Sequence, residues 1–212
     1  MGNDEYAKEN NSFALTTLKD GHVRIDGQTV LFRFRGKSGL QHTVKLTDHR
    51  LARIVKQCRD LPGYELFQYV TETGETCAID SAEVNEYIRE MTGQDFTAKD
   101  FRTWFGTVLA VSELCALGPC RREAARKRAL VEAVKRVAGH LGNRPATCRK
   151  YYVHPAIINA YSDGSLFRTI QLGIDQHTAY SGLGLSPEEY AVMVTIASYQ
   201  EGLVREMRAK AA

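Results

Sequence analysis

The amino-acid sequence predicts a mainly α-helical chain with a small antiparallel β-sheet near its N-terminus, an α+β fold. Three observations predict it. Residues 22–46 alternate apolar and polar side chains between glycine-bearing turns, the period-two pattern of a half-buried meander. From residue 47 onward the apolar residues recur largely at helical spacing. Helical segments open on capping boxes, which pair Asp80 with Glu83, Thr97 with Asp100 and Ser186 with Glu189. The chain reads as a single domain over 1–212, with the meander and a lysine-tipped hairpin in 1–46 and a helical body in 47–212.

The chain opens on a polar stretch that starts with neither a helix cap nor a strand. Strands are expected over 22–26, 28–35 and 40–46, with Val30, Phe32 and Phe34 on one face and Leu31, Arg33 and Arg35 on the other. Gly36 and Gly39 flank Lys37 at a tight hairpin tip, where a lysine is most often simply solvated. A helix over 47–59 carries Leu51, Ile54, Val55 and Cys58, and Leu61-Pro62-Gly63 ends it. A short strand fits 66–70 and a polar loop 71–76. A helix over 80–90 has the stripe Val84, Tyr87, Ile88 and Met91.

The next helix starts near Ala98 and is expected to be long and well buried through Phe101, Trp104, Phe105, Val108, Leu109, Leu114 and Leu117. A basic amphipathic helix follows over 121–141, with Ala124, Leu130, Val131, Val134, Val137 and Leu141 inward. Residues 156–161 continue helical until Asp163-Gly164, and loop with short helix is expected up to 184. The last helix runs to near Lys210, with Tyr190, Met193, Val194, Ala197, Leu203 and Met207 as its stripe.

Composition narrows the class. The 212 residues are 43% hydrophobic and 25% charged, enough for one good-sized core or two small ones. A net charge of +3 permits nucleic-acid binding without demanding it. Its distribution is uneven: residues 62–117 hold ten Asp/Glu against three Lys/Arg, and residues 121–136 hold seven Lys/Arg against two Glu. The second segment is the candidate for a phosphate backbone, or else an ordinary solvated face. Five cysteines show no CxxC pair and no metal spacing with histidine, the usage of reduced thiols in a cytoplasmic protein. No apolar run reaches the roughly 18 residues of a membrane span, so no membrane partner is expected.

The stretch VAGHLGNRPATCRKYYVHP, residues 137–155, sets tyrosines beside Arg149 and Lys150 and after a glycine-punctuated helix end at Gly142. Cationic neighbours favour the nucleophilic phenolate form of a tyrosine. The same cations would bind a phosphodiester. The combination suits attack of a tyrosine on a nucleic-acid phosphate. By residues alone it also reads as a helix end with surface cations and half-buried tyrosines.

Residues 141–157, LGNRPATCRKYYVHPAI, resemble the nucleophile segment of the bacterial, poxvirus-like type IB DNA topoisomerases, with Arg144 where the family usually has Thr. Lys99, Asp100, Phe101, Arg102, Thr103 and Trp104 match the family's second catalytic arginine motif. Gly36-Lys37 matches the hairpin of its general-acid lysine. Near the N-terminus Gly2, Tyr6, Glu9, Asn10, Leu15, Thr16, Thr17, Leu18, His22 and Val23 also match, and their register sets Met1 just after the family's first catalytic arginine. The resemblance therefore implies a catalytic domain lacking that arginine and the N-terminal clamp domain. Loss of one such cation is worth about 10² to 10³ in rate, so impaired cleavage and weaker DNA binding are expected.

The resemblance further implies the type IB topoisomerase and tyrosine recombinase catalytic fold, acting on double-stranded DNA as a monomer without ATP, metal or other cofactor. It assigns Tyr152 as nucleophile, Lys37 as general acid, and Arg102 and Asn143 as stabilisers of the transition state. Asn143 occupies the slot nine residues before Tyr152, where bacterial members commonly carry Asn; His140 is read as structural. Alternatives are a non-catalytic DNA-binding module of the same fold, or a tyrosine recombinase. The latter usually has an arginine three residues after a histidine, whereas His140 is followed by Leu-Gly-Asn.

Overall fold

The computed structural model describes residues 2, 4–177 and 184–211. The fold is mainly helical with a small antiparallel sheet toward the N-terminus, as expected. The chain divides into two compact units, 1–98 and 99–212.

In the N-terminal unit the polar opening forms helix α1 (Asp4–Asn10), anchored by the buried Ala7. Strands β1 (Val23–Asp26), β2 (Thr29–Arg35) and β3 (Gln41–Thr47) make a meander in the order β1-β2-β3. Register pairs Val23 with Phe32 and Phe32 with Val44, so alternation fixes one apolar face. Helix α2 (His49–Arg59) covers that face. Its N-cap Asp48 accepts the Leu51 amide at 2.6 Å. Val30, Phe32, Ala52, Val55 and Leu66 form the core, whereas Ile54 stays exposed because it lies 100° round the helix from Val55.

The polar loop expected over 71–76 is the turn of a second hairpin, β4 (Gln68–Val70) with β5 (Thr76–Ala78). Three residues are too few to show a period, so pairing alone reveals β5. In α3 (Ser81–Thr92) the capping box forms: Asp80 accepts the amides of Ala82 and Glu83, and Glu83 accepts that of Asp80 at 2.8 Å. Its apolar stripe is not buried within the described residues; Tyr87 and Met91 are exposed.

The C-terminal unit takes in α4 (Ala98–Leu117) from Lys99 on, then α5 (Glu123–Leu141), α6 (Pro145–Tyr151), α7 (Pro155–Asp163), α8 (Leu166–His177) and α9 (Pro187–Ala211). Helix α4 buries a small-residue face, Gly106, Thr107, Ala110, Val111 and Leu114, while Phe101 and Phe105 are exposed. On α5 the buried residues are Ala129, Leu130, Ala133, Val134, Val137, Ala138 and Leu141; Ala124 and Val131 face outward. Arg136 of this basic helix is paired with Glu113 and Glu132 at 3.2 and 3.1 Å.

The expected loop before 184 contains the full helix α8, because Leu166 and Ile170, one turn apart, bury against the core. Ser186 and Glu189 cap α9 reciprocally, at 2.8 and 3.2 Å. Tyr190, Ala191, Val192 and Thr195 are the buried part of α9, and Met193 and Ala197 are exposed. The side chains of Leu203 and Met207 lie outside the described residues. No helix among the described residues is long and apolar enough to cross a membrane.

Candidate active site

The tyrosine site is built where α4, α5 and α6 meet. Helix α5 ends at Gly142, whose left-handed backbone (φ 63°) suits a residue without a Cβ. The Asn143 amide then returns to the Ala138 carbonyl at 2.9 Å, closing the helix end. Pro145 opens α6, where its missing N–H costs nothing. Cys148 is fully buried with Ala110, Val137, Ala138, Leu141 and Val153. Burial pushes its thiol pKa up, opposed by the charge of Arg102. Cys148 and Val153 thus anchor both sides of Tyr152. Its amide donates to the Cys148 carbonyl at 2.9 Å, and the residue stays half-buried.

Arg102 reaches this point from α4. Its Nη2 donates to the carbonyl of Leu141, the last residue of α5. A helix C-terminus leaves such carbonyls without intrahelical partners and favours a cation there. The guanidinium carbon lies 5.2 Å from the Tyr152 ring centroid, within cation–π range. The structure therefore brings Arg102 and Tyr152 together and ties Arg102 two residues before Asn143. Among the described residues the buried Asn143 Nδ2 has no hydrogen-bond partner.

Lys37 belongs to the N-terminal unit. It is exposed at the β2–β3 hairpin tip, in a single 3-10 turn over Lys37–Gly39. The Gly39 amide donates to the Gly36 carbonyl at 3.1 Å, and Gly39 takes φ 76°. His140 lies on an exposed face of α5, its Nδ1 3.0 Å from the Arg136 carbonyl oxygen.

Three contributors escaped the sequence reading. Gly106 lets α4 approach the Tyr152 carbonyl. The Thr107 hydroxyl is buried, donates to the Thr103 carbonyl at 2.8 Å and accepts the His154 amide at 3.1 Å. Cys148 fills the helix junction. The available signal was a lone glycine inside a helix of large residues, which usually has a packing reason. Beyond the tyrosine, His154 Nδ1 accepts the Ala156 amide at 3.2 Å and caps α7; burial lowers its pKa.

Residues 1–171 match the family described as eukaryotic DNA topoisomerase I, catalytic core. The chain belongs to this family. The match does not favour the recombinase or the non-catalytic alternative. The chain is also 30% identical over 176 residues to DNA topoisomerase 1B of Acanthamoeba polyphaga mimivirus. That alignment covers 79% of this chain and 52% of the relative, so the chain spans about half the length of the curated relative it matches.

Proposed function

We propose that this chain is the strand-transfer core of a type IB DNA topoisomerase. The observation that carries the reading is the Arg102 guanidinium, 5.2 Å from the Tyr152 ring and bonded to the end of α5. Tyr152 Oη attacks the phosphorus of a DNA phosphodiester. A phosphorus–tyrosyl oxygen bond forms and the bond to the 5′-oxygen breaks. The phenol proton passes to solvent, and Lys37 protonates the departing 5′-oxygen. Arg102 offers its fork, and Asn143 its unpartnered Nδ2, to the non-bridging oxygens as charge develops. The 3′-phosphotyrosine keeps the bond energy. Rotation of the free strand relaxes supercoils, and attack by the 5′-hydroxyl reseals the strand and releases Tyr152.

In this reading the two units work as one catalytic domain, as a monomer on duplex DNA. Asn143 in the slot nine before the nucleophile supports the bacterial, poxvirus-like subgroup, and with it a cytoplasmic location. The test is cleavage of a nicked duplex oligonucleotide followed by a denaturing gel. A covalent protein–DNA band is expected, and it should vanish in Tyr152→Phe. A band that persists in that variant rejects Tyr152 as nucleophile.

A further inference from the structure

The outer face of the three-stranded sheet carries cations that the reaction does not use. Register sets Arg24, Leu31 and Lys45 in one row across β1, β2 and β3. Arg33 pairs with Thr43 in the next row, and Arg35 with Gln41 in the row after. Alternation puts this set opposite Val30 and Phe32, the core side. Arg24, Arg33, Arg35 and Lys45 are all exposed. Among the described residues none of the four forms an ion pair. Asp26 is the one acid in the three strands.

This grouping is not the charge average of its surroundings. Residues 1–98 hold 15 Asp/Glu against 12 Lys/Arg, so the unit is net acidic, yet residues 22–47 hold five cations and one acid. At the β1 side the face deepens into a hollow of about 520 Å³ lined by Arg24, Arg33 and Arg59 together with His22, Ile25 and Leu31. Arg59 has a partner in Asp60, at 3.5 Å. Like charges gathered on one face repel, and an anion offsets that repulsion.

The chemistry selects among anions. Guanidinium forks bind phosphate in bidentate fashion. The outer rows of the sheet hold no aromatic residue, so there is no stacking platform for the bases of a single strand. Leu31 is their one large apolar side chain, which offers little to a membrane interior. Arg35 lies two residues before Lys37, so the face runs directly into the lysine hairpin.

We propose that the outer face of the β1–β2–β3 sheet, with the Arg24–Arg33–Arg59 hollow, is a phosphate platform for duplex DNA. It holds the backbone and does not read base sequence. The inference rests on the topoisomerase reading of the tyrosine site.

The test is the salt dependence of affinity for a 40-base-pair duplex, measured in a Tyr152→Phe background that cannot form the covalent link. Each lost phosphate contact lowers the slope of log K against log salt by about 0.9. The variant Arg24→Gln/Arg33→Gln/Arg35→Gln should lose about 2.7 in slope, by the same amount on unrelated sequences. A control variant, Arg50→Gln/Arg53→Gln/Lys56→Gln, removes three exposed cations from α2 and should leave the slope unchanged. If the sheet variant melts below the assay temperature, its three single substitutions carry the same test at about 0.9 each. An unchanged slope in the sheet variants, or an equal loss in the control, overturns the platform alone. Absence of duplex binding by the parent chain overturns the platform and the topoisomerase reading together.

Discussion

A Cβ placed on Gly106 would stand 2.5 Å from the carbonyl oxygen of Tyr152. The glycine is what lets α4 lie directly against the backbone of the tyrosine turn. The obstacle is a backbone atom, which cannot swing away as a side-chain tip can. The position of Tyr152 is therefore set by a missing methyl group one helix away.

Alanine at Gly106 should cost about 1–3 kcal/mol through overpacking, more than its helix propensity returns. Gly139 on α5 has nothing within 4 Å of its would-be Cβ. Gly139→Ala should accordingly gain about 0.5–1 kcal/mol. Thermal melts of the two variants should move in opposite directions, and only Gly106→Ala should slow formation of the covalent adduct.

Thr107 offers a test of the same turn through hydrogen bonding. Its hydroxyl accepts the His154 amide at 3.1 Å while sitting 3.5 Å from the Tyr152 carbonyl oxygen. Thr107→Val keeps the shape and leaves that amide unpaired, a loss of about 1–3 kcal/mol. Thr107→Ser should restore most of both stability and adduct rate. Equal behaviour of the valine and serine variants in a melt would show that the hydroxyl contributes nothing.

Stability should fall on acidification, in part through His154. Burial lowers its folded pKa below the ordinary value near 6.5. Below that ordinary value the unfolded chain takes up a proton before the folded chain does, so stability declines as pH falls from about 6.5 toward the folded pKa. Protonation would also end acceptance of the Ala156 amide by Nδ1 and put a positive charge at the N-terminus of α7. His154→Asn keeps a capping side chain without a titration in this range. Its melting temperature should change less between pH 7.5 and pH 5 than that of the parent, as differential scanning fluorimetry would record.

Arg102 tests the charge arrangement. Arg102→Lys keeps a cation but loses the planar fork that can hold the Leu141 carbonyl and a phosphate together. The single-turnover adduct rate should drop about 10² to 10³-fold. Measured in the Tyr152→Phe background, duplex affinity should drop far less. A rate within a few-fold of the parent would remove Arg102 from the transition state.

Local chemistry made much of this fold legible. The Asp80–Glu83 and Ser186–Glu189 boxes, the Gly142 and Gly164 helix ends and the glycine-flanked Lys37 tip are set by hydrogen bonds and backbone angles within about five residues, so residue identities suffice. The motif residues Lys37, Arg102, Asn143 and Tyr152 were singled out differently, by the resemblance of their surrounding motifs to those of a known family. Periodicity misjudged which side of a helix is covered. Phe101 and Phe105 looked like core and are exposed, while Gly106, Thr107 and Ala110 are buried. Hydrophobicity ranks residues by transfer from water, but closely packed helices select small ones at the contact.

By itself the sequence determined the meander, most of the helices, the basic surroundings of the tyrosines and the order of the motifs. Tertiary structure alone decided that Arg102 meets the end of α5, 39 residues away, and that Thr107 receives the amide of His154, 47 residues away. It also decided that β5 exists, because a strand of three residues is defined by its partner. The physical reason is range: caps and turns are satisfied by neighbours in the chain, whereas a cross-helix contact depends on the whole packing arrangement that brings distant segments together.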